Sequence, residues 1–543
     1  MSIGSYFLAR AARLAKPRFR VTRKRHRVEM ADGVLLETEV YLPRNGVRSP
    51  TILMRVPYGL RGFATVGEIY AERGFNAVVQ ACRGTGGSGG EFDPLRHERE
   101  DGLATLKWLE AQDWFDGRLG LSGPSYLGYA QWAISDALPK HAAMAVKVTS
   151  AEFRSVVFPG GTFNLGLLFG WIQVIEGIRR APLRTARRMG SGGIERLSAR
   201  AAMKLPLVDA DRRIFRREVG FWRRWLVDAI GNDEFWEPLD HTHRITARTP
   251  PTSFVSGWYD FMLDQLLRDY ETLADAGVRT RLTVGPWTHV SEELQLESIR
   301  DTLGWMNAEL LGDLSGLNDM PVRLHVGGRN EWHSFATYPP GTPDIQIWHL
   351  HPDKILSQRP VKASDPDRYT YDPRKPTPSI GGAMFAFTGA GPVNQAKLES
   401  RKDVLVFTSE PLAGDLTVIG NVRAMIYARA SLPDADLFVR LSDVDEKGVS
   451  TNICDGIVRK TSADPAVPDD IWKLNFKLHA TAHTFRRDHR LRLLISSGAH
   501  PRYARNTGTG EPFGTGTKLA PVNIEIFHDP AHPSAIHIPA FDL

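Results

Sequence analysis

The sequence predicts two architectures in one chain: an α/β domain with a mostly parallel sheet, interrupted by a helical insertion, and then an all-β sandwich or jelly roll. Three observations carry this. Apolar runs alternate with amphipathic runs through the first 150 residues, and buried strands separated by helices imply a sheet covered on both faces. The same alternation returns near residue 248. From about residue 321 helical periodicity fades into short alternating runs between turns, the pattern of a sandwich or jelly roll. At 543 residues the chain exceeds one hydrophobic core. The expected parts are a basic arm over 1–25, an α/β domain over 26–150 and 248–320, a helical insertion over 151–247 and an all-β domain over 321–543.

The elements follow in order. HRVEMADGVLLETEVYLP reads as a hairpin turning at Ala31-Asp32-Gly33. SPTILMRVPYG is an apolar strand ending at a Pro-Tyr corner, and FNAVVQACRG is another. REDGLATLKWLEAQ is an amphipathic helix. RLGLSG and AAMAVKVTS are further strands. The insertion is rich in Arg, Trp and Phe, with helical spacing in IFRREVGFWRRWLVDAI. Its arginines read as a solvated helical face, with acidic substrates as the other reading. PPTSFVSGWYD, FMLDQLLRDYETLADA and RLTVGPWTHV restore strand, helix and strand. VRLHVGG, IQIWHLH, VLVFTSE, NVRAMIYARAS, DLFVRLSDV and RLRLLISS are the short runs of the all-β part.

Composition excludes several classes. A 42% hydrophobic and 24% charged chain is that of a soluble globular protein, and no apolar run of about 18 residues suggests a transmembrane helix. Cys82 and Cys454 offer neither a disulfide framework nor zinc spacing, which suits a reducing compartment and a cytoplasmic location. The net charge of +6 is uneven. Residues 1–27 hold nine Lys or Arg and no acid, leaving the rest at about −3. This segment lacks a secretory core and cleavage site. It reads as a solvated arm or a helix docked on its own protein, with peripheral contact to an anionic membrane as the other reading. No nucleic-acid partner is expected, and oligomeric state is not legible.

Chemistry concentrates at Gly123-Pro124-Ser125-Tyr126-Leu127-Gly128, a serine at a strand-to-helix corner. A serine hydroxyl needs a base within hydrogen-bond reach and a third group to orient that base. In an α/β-hydrolase the acid and then the histidine follow on loops after later strands. Asp260 ends the strand at Gly257-Trp258-Tyr259-Asp260, and His289 ends the next at Gly285-Pro286-Trp287-Thr288-His289. Singly, these read as a turn serine, a helix cap and a surface histidine; in this order they form a triad. Gly86-Gly87-Ser88-Gly89-Gly90 fits G-x-S-x-G, and Gly84 to Gly89 fits G-x-G-x-x-G. Both motifs demand a helix at the motif, yet Glu91 to Pro94 intervene, so a Gly-rich loop is expected. Asp240-His241-Thr242-His243 lacks a third ligand at telling spacing and reads as a polar loop.

RVPYG, QACRGTGGSGGEF, GRLGLSGPSYLGYAQW, SGWYDF and GPWTH, in this order, resemble the cocaine esterase and X-prolyl dipeptidyl-peptidase group of α/β-hydrolases (CocE/NonD type). Its nucleophile motif resembles G-x-S-Y-x-G, which accounts for Leu127. PDADLFVRLSDV, NICDGIVR and HRLRLLISSGAHPRYARNTGTG resemble that group's C-terminal jelly roll, so the resemblance spans about residues 26–543. It implies Ser125 as nucleophile, His289 as base and Asp260 as orienting acid. It also implies an oxyanion hole from the Tyr58 phenol and the Tyr126 amide, no cofactor and no metal. Trp132 and Phe261 adjoin these elements and read as acyl-pocket lining or as core. Peptidase and amino-ester members must hold a free ammonium; Glu152, Glu176 and Asp264 are the acidic candidates, each reading better as a surface residue. The expected activity is carboxylic ester hydrolysis of a small-molecule ester or amide. X-Pro dipeptidyl-peptidase or α-amino-acid ester hydrolase is the near alternative. An inactive scaffold binding carbohydrate or membrane is the distant one.

Overall fold

The computed structural model describes residues 2–461, 464 and 470–543. Ten strands form the first sheet: β1 (Val21–Glu29), β2 (Leu35–Pro43), β3 (Ser49–Val56), β4 (Asn76–Ala81), β5 (Phe115–Pro124), β6 (Ala142–Lys147), β7 (Thr252–Tyr259), β8 (Thr280–Thr288), β9 (Val322–Val326) and β10 (Glu331–Phe335). Their order is β1-β2-β4-β3-β5-β6-β7-β8-β9-β10. From β4 to β9 neighbouring strands run parallel; β1, β2 and β10 are antiparallel additions at the edges. Strands β3, β4 and β6 are buried along their whole length, as a sheet covered on both faces requires. The C-terminal ends of β5, β7 and β8 therefore lie at one end of the sheet, with β6 between β5 and β7, where loops from a parallel sheet converge.

Two expected borders move. Val322–Val326 pairs in parallel with β8, with Leu282 opposite Val322, so VRLHV belongs to the α/β sheet. The helix Glu292–Leu311 makes the crossover that permits this parallel pairing. The basic arm is also shorter than residues 1–25, because β1 opens at Val21 and Arg23 and Arg25 both pair with Glu39 of β2. Ahead of it, helix Ile3–Ala11 starts at Ser2, whose side chain accepts from the Ser5 amide. The helix buries Ser5 and Ala9 against helix Ala64–Ala71; Ser5 Oγ donates to Glu72 Oε1 at 3.0 Å and Arg300 Nε donates to the Ala12 carbonyl at 3.1 Å. Ile3 and Phe7 point outward. Among the described residues no helix is long and apolar enough to cross a membrane.

Residues 151–247 carry helices, the longest being Leu165–Arg180. Their aromatic residues, among them Phe163, Phe169, Trp222 and Trp225, form one buried cluster with Tyr126, Tyr129 and Phe261. The lid is thus welded onto the corner that carries Ser125. From Asp344 onward thirteen described strands, nearly all antiparallel, enclose a second core of Leu, Ile and Val.

Candidate active site

Ser125 caps the helix Tyr126–Trp132 with φ 57° and ψ −122°, a conformation that costs a non-glycine residue roughly 1–3 kcal/mol. The corner is held from both sides. The Ser125 amide donates to the Lys147 carbonyl at 2.8 Å, and its carbonyl accepts from Thr149 Oγ1 at 2.7 Å. Two glycines make room. A Cβ at Gly123 would lie 2.4 Å from Leu127, and one at Gly128 would lie 2.4 Å from Thr149. Leu127 folds over the Gly123 position, so the glycine that packs the helix onto its neighbour stands at 128.

His289 Nε2 lies 3.1 Å from Ser125 Oγ, and its Nδ1 lies 2.7 Å from Asp260 Oδ1. Asp260 is fully buried. Its Oδ2 accepts from Ser256 Oγ at 2.8 Å and its Oδ1 from the Met262 amide at 3.3 Å. The Phe261 ring lies against the His289 ring at 4.4 Å. A residue with no sequence signal completes the acid's surroundings. His479, from the all-β domain, donates from Nε2 to the Asp260 carbonyl at 2.7 Å and pairs through Nδ1 with Asp264 at 2.8 Å. Burial disfavours a charge on His479, but the Asp264 carboxylate outweighs it and raises the imidazole's pKa.

Tyr58 follows β3 at the same sheet end. Burial pushes its phenol up to about 12. Its oxygen accepts from Trp171 Nε1 at 3.1 Å, which leaves its own proton to donate elsewhere. The Tyr126 amide occupies the first turn of its helix, where N–H groups have no helical acceptor. The Tyr126 side chain points away: its hydroxyl donates to Glu98 Oε1 at 2.8 Å and accepts from the Leu95 amide at 2.9 Å. Glu98 in turn pairs with buried Arg55 at 2.9 Å.

A cavity of about 30 Å³ opens at Ser125 and His289, walled by Phe153, Trp171, Trp225, Phe261 and Phe385. Phe261 lines it. Trp132 does not: it is fully buried in the α/β core against Phe254, because the helix after Ser125 turns that face to the sheet. Sequence reading missed Trp171 and Phe385, which reach the site from the lid and from the all-β domain. The expected loop at residues 83–90 carries no helix; Ser88 Oγ donates to the Ala81 carbonyl at 2.8 Å and accepts from the Glu37 amide at 2.9 Å. His241 is buried against Tyr129, and desolvation lowers its pKa to about 3. No metal-binding cluster occurs among the described residues. Glu152 and Glu176 are buried rather than on the surface. Glu152 pairs with Arg268, Glu176 with Arg179, Arg180 and Arg217, and Asp264 with His479. None of the three lines the Ser125 cavity.

Residues 32–291 match the family described as X-Pro dipeptidyl-peptidase (S15 family), and residues 318–537 match the X-Pro dipeptidyl-peptidase C-terminal non-catalytic domain. Cocaine esterase of Rhodococcus sp. (strain MB1 Bresler) is 29% identical, over 94% of this chain and 97% of that one. A solved α-amino-acid ester hydrolase superimposes with a TM-score of 0.80 at 20% identity, covering 97% of this chain and 98% of its own. An aminopeptidase from a marine sediment archaeon, Thaumarchaeota archaeon, gives 0.78 at 21% identity, covering 96% and 97%; at these identities the two structures share the fold. With both of its parts matched, the chain carries an S15-family X-Pro dipeptidyl-peptidase domain followed by that family's C-terminal domain, and it is a serine hydrolase homologous to cocaine esterase.

Proposed function

We propose that Ser125, His289 and Asp260 act as the triad of a carboxylic ester hydrolase for substrates with an uncharged acyl group. The relay of 3.1 Å and 2.7 Å contacts from Ser125 Oγ through His289 to Asp260 carries the reading. His289 Nε2 takes the Ser125 proton as Oγ attacks the acyl carbon, while Nδ1–H stays on the Asp260 carboxylate. The Tyr58 hydroxyl and the Tyr126 amide donate to the oxyanion. His289 then protonates the leaving alcohol, which departs as the carbonyl reforms. Water, deprotonated by the same nitrogen, attacks the acyl-enzyme and releases the acid and Ser125.

Apolar lining supports ester over dipeptide. A substrate's free ammonium needs a buried anion, and the described residues that line the Ser125 cavity include no carboxylate. The test sets p-nitrophenyl butanoate against Ala-Pro-p-nitroanilide, with wild type and Ser125→Ala in parallel. Ester cleavage without anilide cleavage, lost in the variant, is the expected result. Efficient anilide cleavage would replace this reading with the peptidase one. A fluorophosphonate probe should label wild type and Ser88→Ala but not Ser125→Ala; an unlabelled wild type would fit an inactive scaffold.

A further inference from the structure

The enclosed cavity at Ser125 measures about 30 Å³, room for roughly two or three water molecules. An eight-carbon acyl chain needs more room than this, so a wall has to give way for it. Two aromatic walls each have a second cavity behind them. Behind Phe153 lies a space of about 1200 Å³ where the charged Glu152, Arg268 and Asp269 stand among Phe158, Trp236 and Leu239. Behind Phe385 lies one of about 440 Å³ lined mainly by Gly166, Ile194, Met384 and Ala386, with Glu195 and Arg502 also on its wall. An aliphatic chain gains by leaving water only where its new neighbours are apolar, which favours the second.

Phe385 is also the wall carried on a loop. It sits on a loop with no helix or strand, pinched at its neck by reciprocal Gly382 and Gly391 backbone hydrogen bonds of 2.7 and 3.0 Å. The neck is anchored in the all-β domain, where Asn452 Nδ2 donates to the Gly391 carbonyl at 3.1 Å. The tip is fastened to the lid by one carboxylate: Glu195 Oε1 accepts from the Phe387 and Thr388 amides at 2.7 and 3.3 Å. Its ring meets the lid helix at Gly170, where a Cβ would lie 2.7 Å from it. By contrast Phe153 is buried and packs edge-on against Tyr129 at 5.2 Å.

We propose that Phe385 is a gate between the Ser125 cavity and the apolar groove behind it, and that this groove is the subsite for the chain of a medium-length aliphatic acyl group. The proposal rests on ester hydrolysis at Ser125. The measurement is kcat/KM for p-nitrophenyl octanoate relative to p-nitrophenyl butanoate. Each methylene taken out of water is worth about fourfold, so Phe385→Ala should raise the ratio at least about tenfold. Glu195→Gln should raise it less, by loosening the tip. Ala199→Trp, which fills the groove, should return the ratio of Phe385→Ala toward that of wild type. Phe385→Leu gives the same reading should the alanine variant not fold. An unchanged ratio in Phe385→Ala or Phe385→Leu overturns the gate, and a raised ratio that survives Ala199→Trp overturns the groove. Failure of the underlying reading looks different: no ester is cleaved by wild type, or Ser125→Ala cleaves both esters as wild type does.

Discussion

Replacing Asp260 by asparagine should be milder here than in a triad whose acid is free to turn the wrong way. Asp260 Oδ1 faces two donors, His289 Nδ1–H at 2.7 Å and the Met262 amide at 3.3 Å. Its Oδ2 faces the Ser256 hydroxyl at 2.8 Å. A carboxamide in this cage keeps its oxygen toward the two N–H groups. Its nitrogen then meets Ser256 Oγ, which can rotate its proton away and accept. The histidine tautomer survives and only the negative charge is lost. A hydrogen bond to a charged group is worth about 1.5–3 kcal/mol against about 0.5–1.5 for a neutral one. Adding the lost field on the imidazolium, the loss should be about 3 kcal/mol, or roughly 10²-fold in kcat/KM. A wrong tautomer costs about 10⁴. The assay is kcat/KM for p-nitrophenyl butanoate with Asp260→Asn and Asp260→Ala. A drop near 10⁴ in the asparagine variant, equal to that of the alanine variant, would refute the orientation argument. A drop of less than about threefold in both, within the ordinary worth of one neutral hydrogen bond, would refute the role of Asp260 altogether.

Tyr58→Phe should lower kcat about 10²–10³-fold with little change in KM, the usual cost of one oxyanion donor; an unchanged kcat removes the phenol from the mechanism. Trp171→Phe keeps a ring but withdraws the N–H that fixes the Tyr58 oxygen, so kcat should fall about tenfold, one hydrogen bond's worth, and the loss should vanish when the variant is made in a Tyr58→Phe background. His479 has a raised pKa because the Asp264 pairing outweighs the burial that opposes it. Its stabilising contribution is complete below the ordinary histidine pKa and is lost as pH rises through the raised one. The thermal midpoint gap between wild type and His479→Gln should therefore be widest near pH 6 and narrow toward alkaline pH; a gap independent of pH contradicts this. His241, lowered by burial from 6.5 to about 3, binds its proton more readily unfolded. Stability should therefore drop by up to roughly 1.4 kcal/mol per pH unit as pH falls from the first value toward the second, and His241→Phe should flatten that slope in urea titrations.

Most of the site was legible because its parts end local patterns. Ser125, Asp260 and His289 each close an apolar strand, and a parallel sheet brings such ends together whatever lies between them in sequence. The same logic rejected Ser88, whose glycines lead to no helix. Val322–Val326 was misassigned because a short apolar strand looks the same in either domain. Its partner, β8, lies behind a 20-residue helix, and pairing across a crossover leaves no trace in the strand itself. Trp132 read as lining or as core, and it is core: seven residues of helical rise set it roughly 10 Å along the helix from Ser125, against Phe254.

What stayed hidden lies where one domain meets another. The family description of the C-terminal part as non-catalytic fits a part that offers no reacting group, yet that part closes the site in two places. Phe385 walls the cavity beside His289 at 5.9 Å. His479 holds the carbonyl of the residue whose carboxylate holds His289. Remove the all-β domain and the Asp260 carbonyl loses its donor, the Asp264 carboxylate loses its histidine partner, and the aromatic pocket opens to water. Each loss weakens electrostatics that depend on a dry, fixed surrounding. The α/β sheet carries Ser125, His289 and Asp260 at its strand ends, and the second domain adds the contacts and the exclusion of water that the proposed chemistry needs.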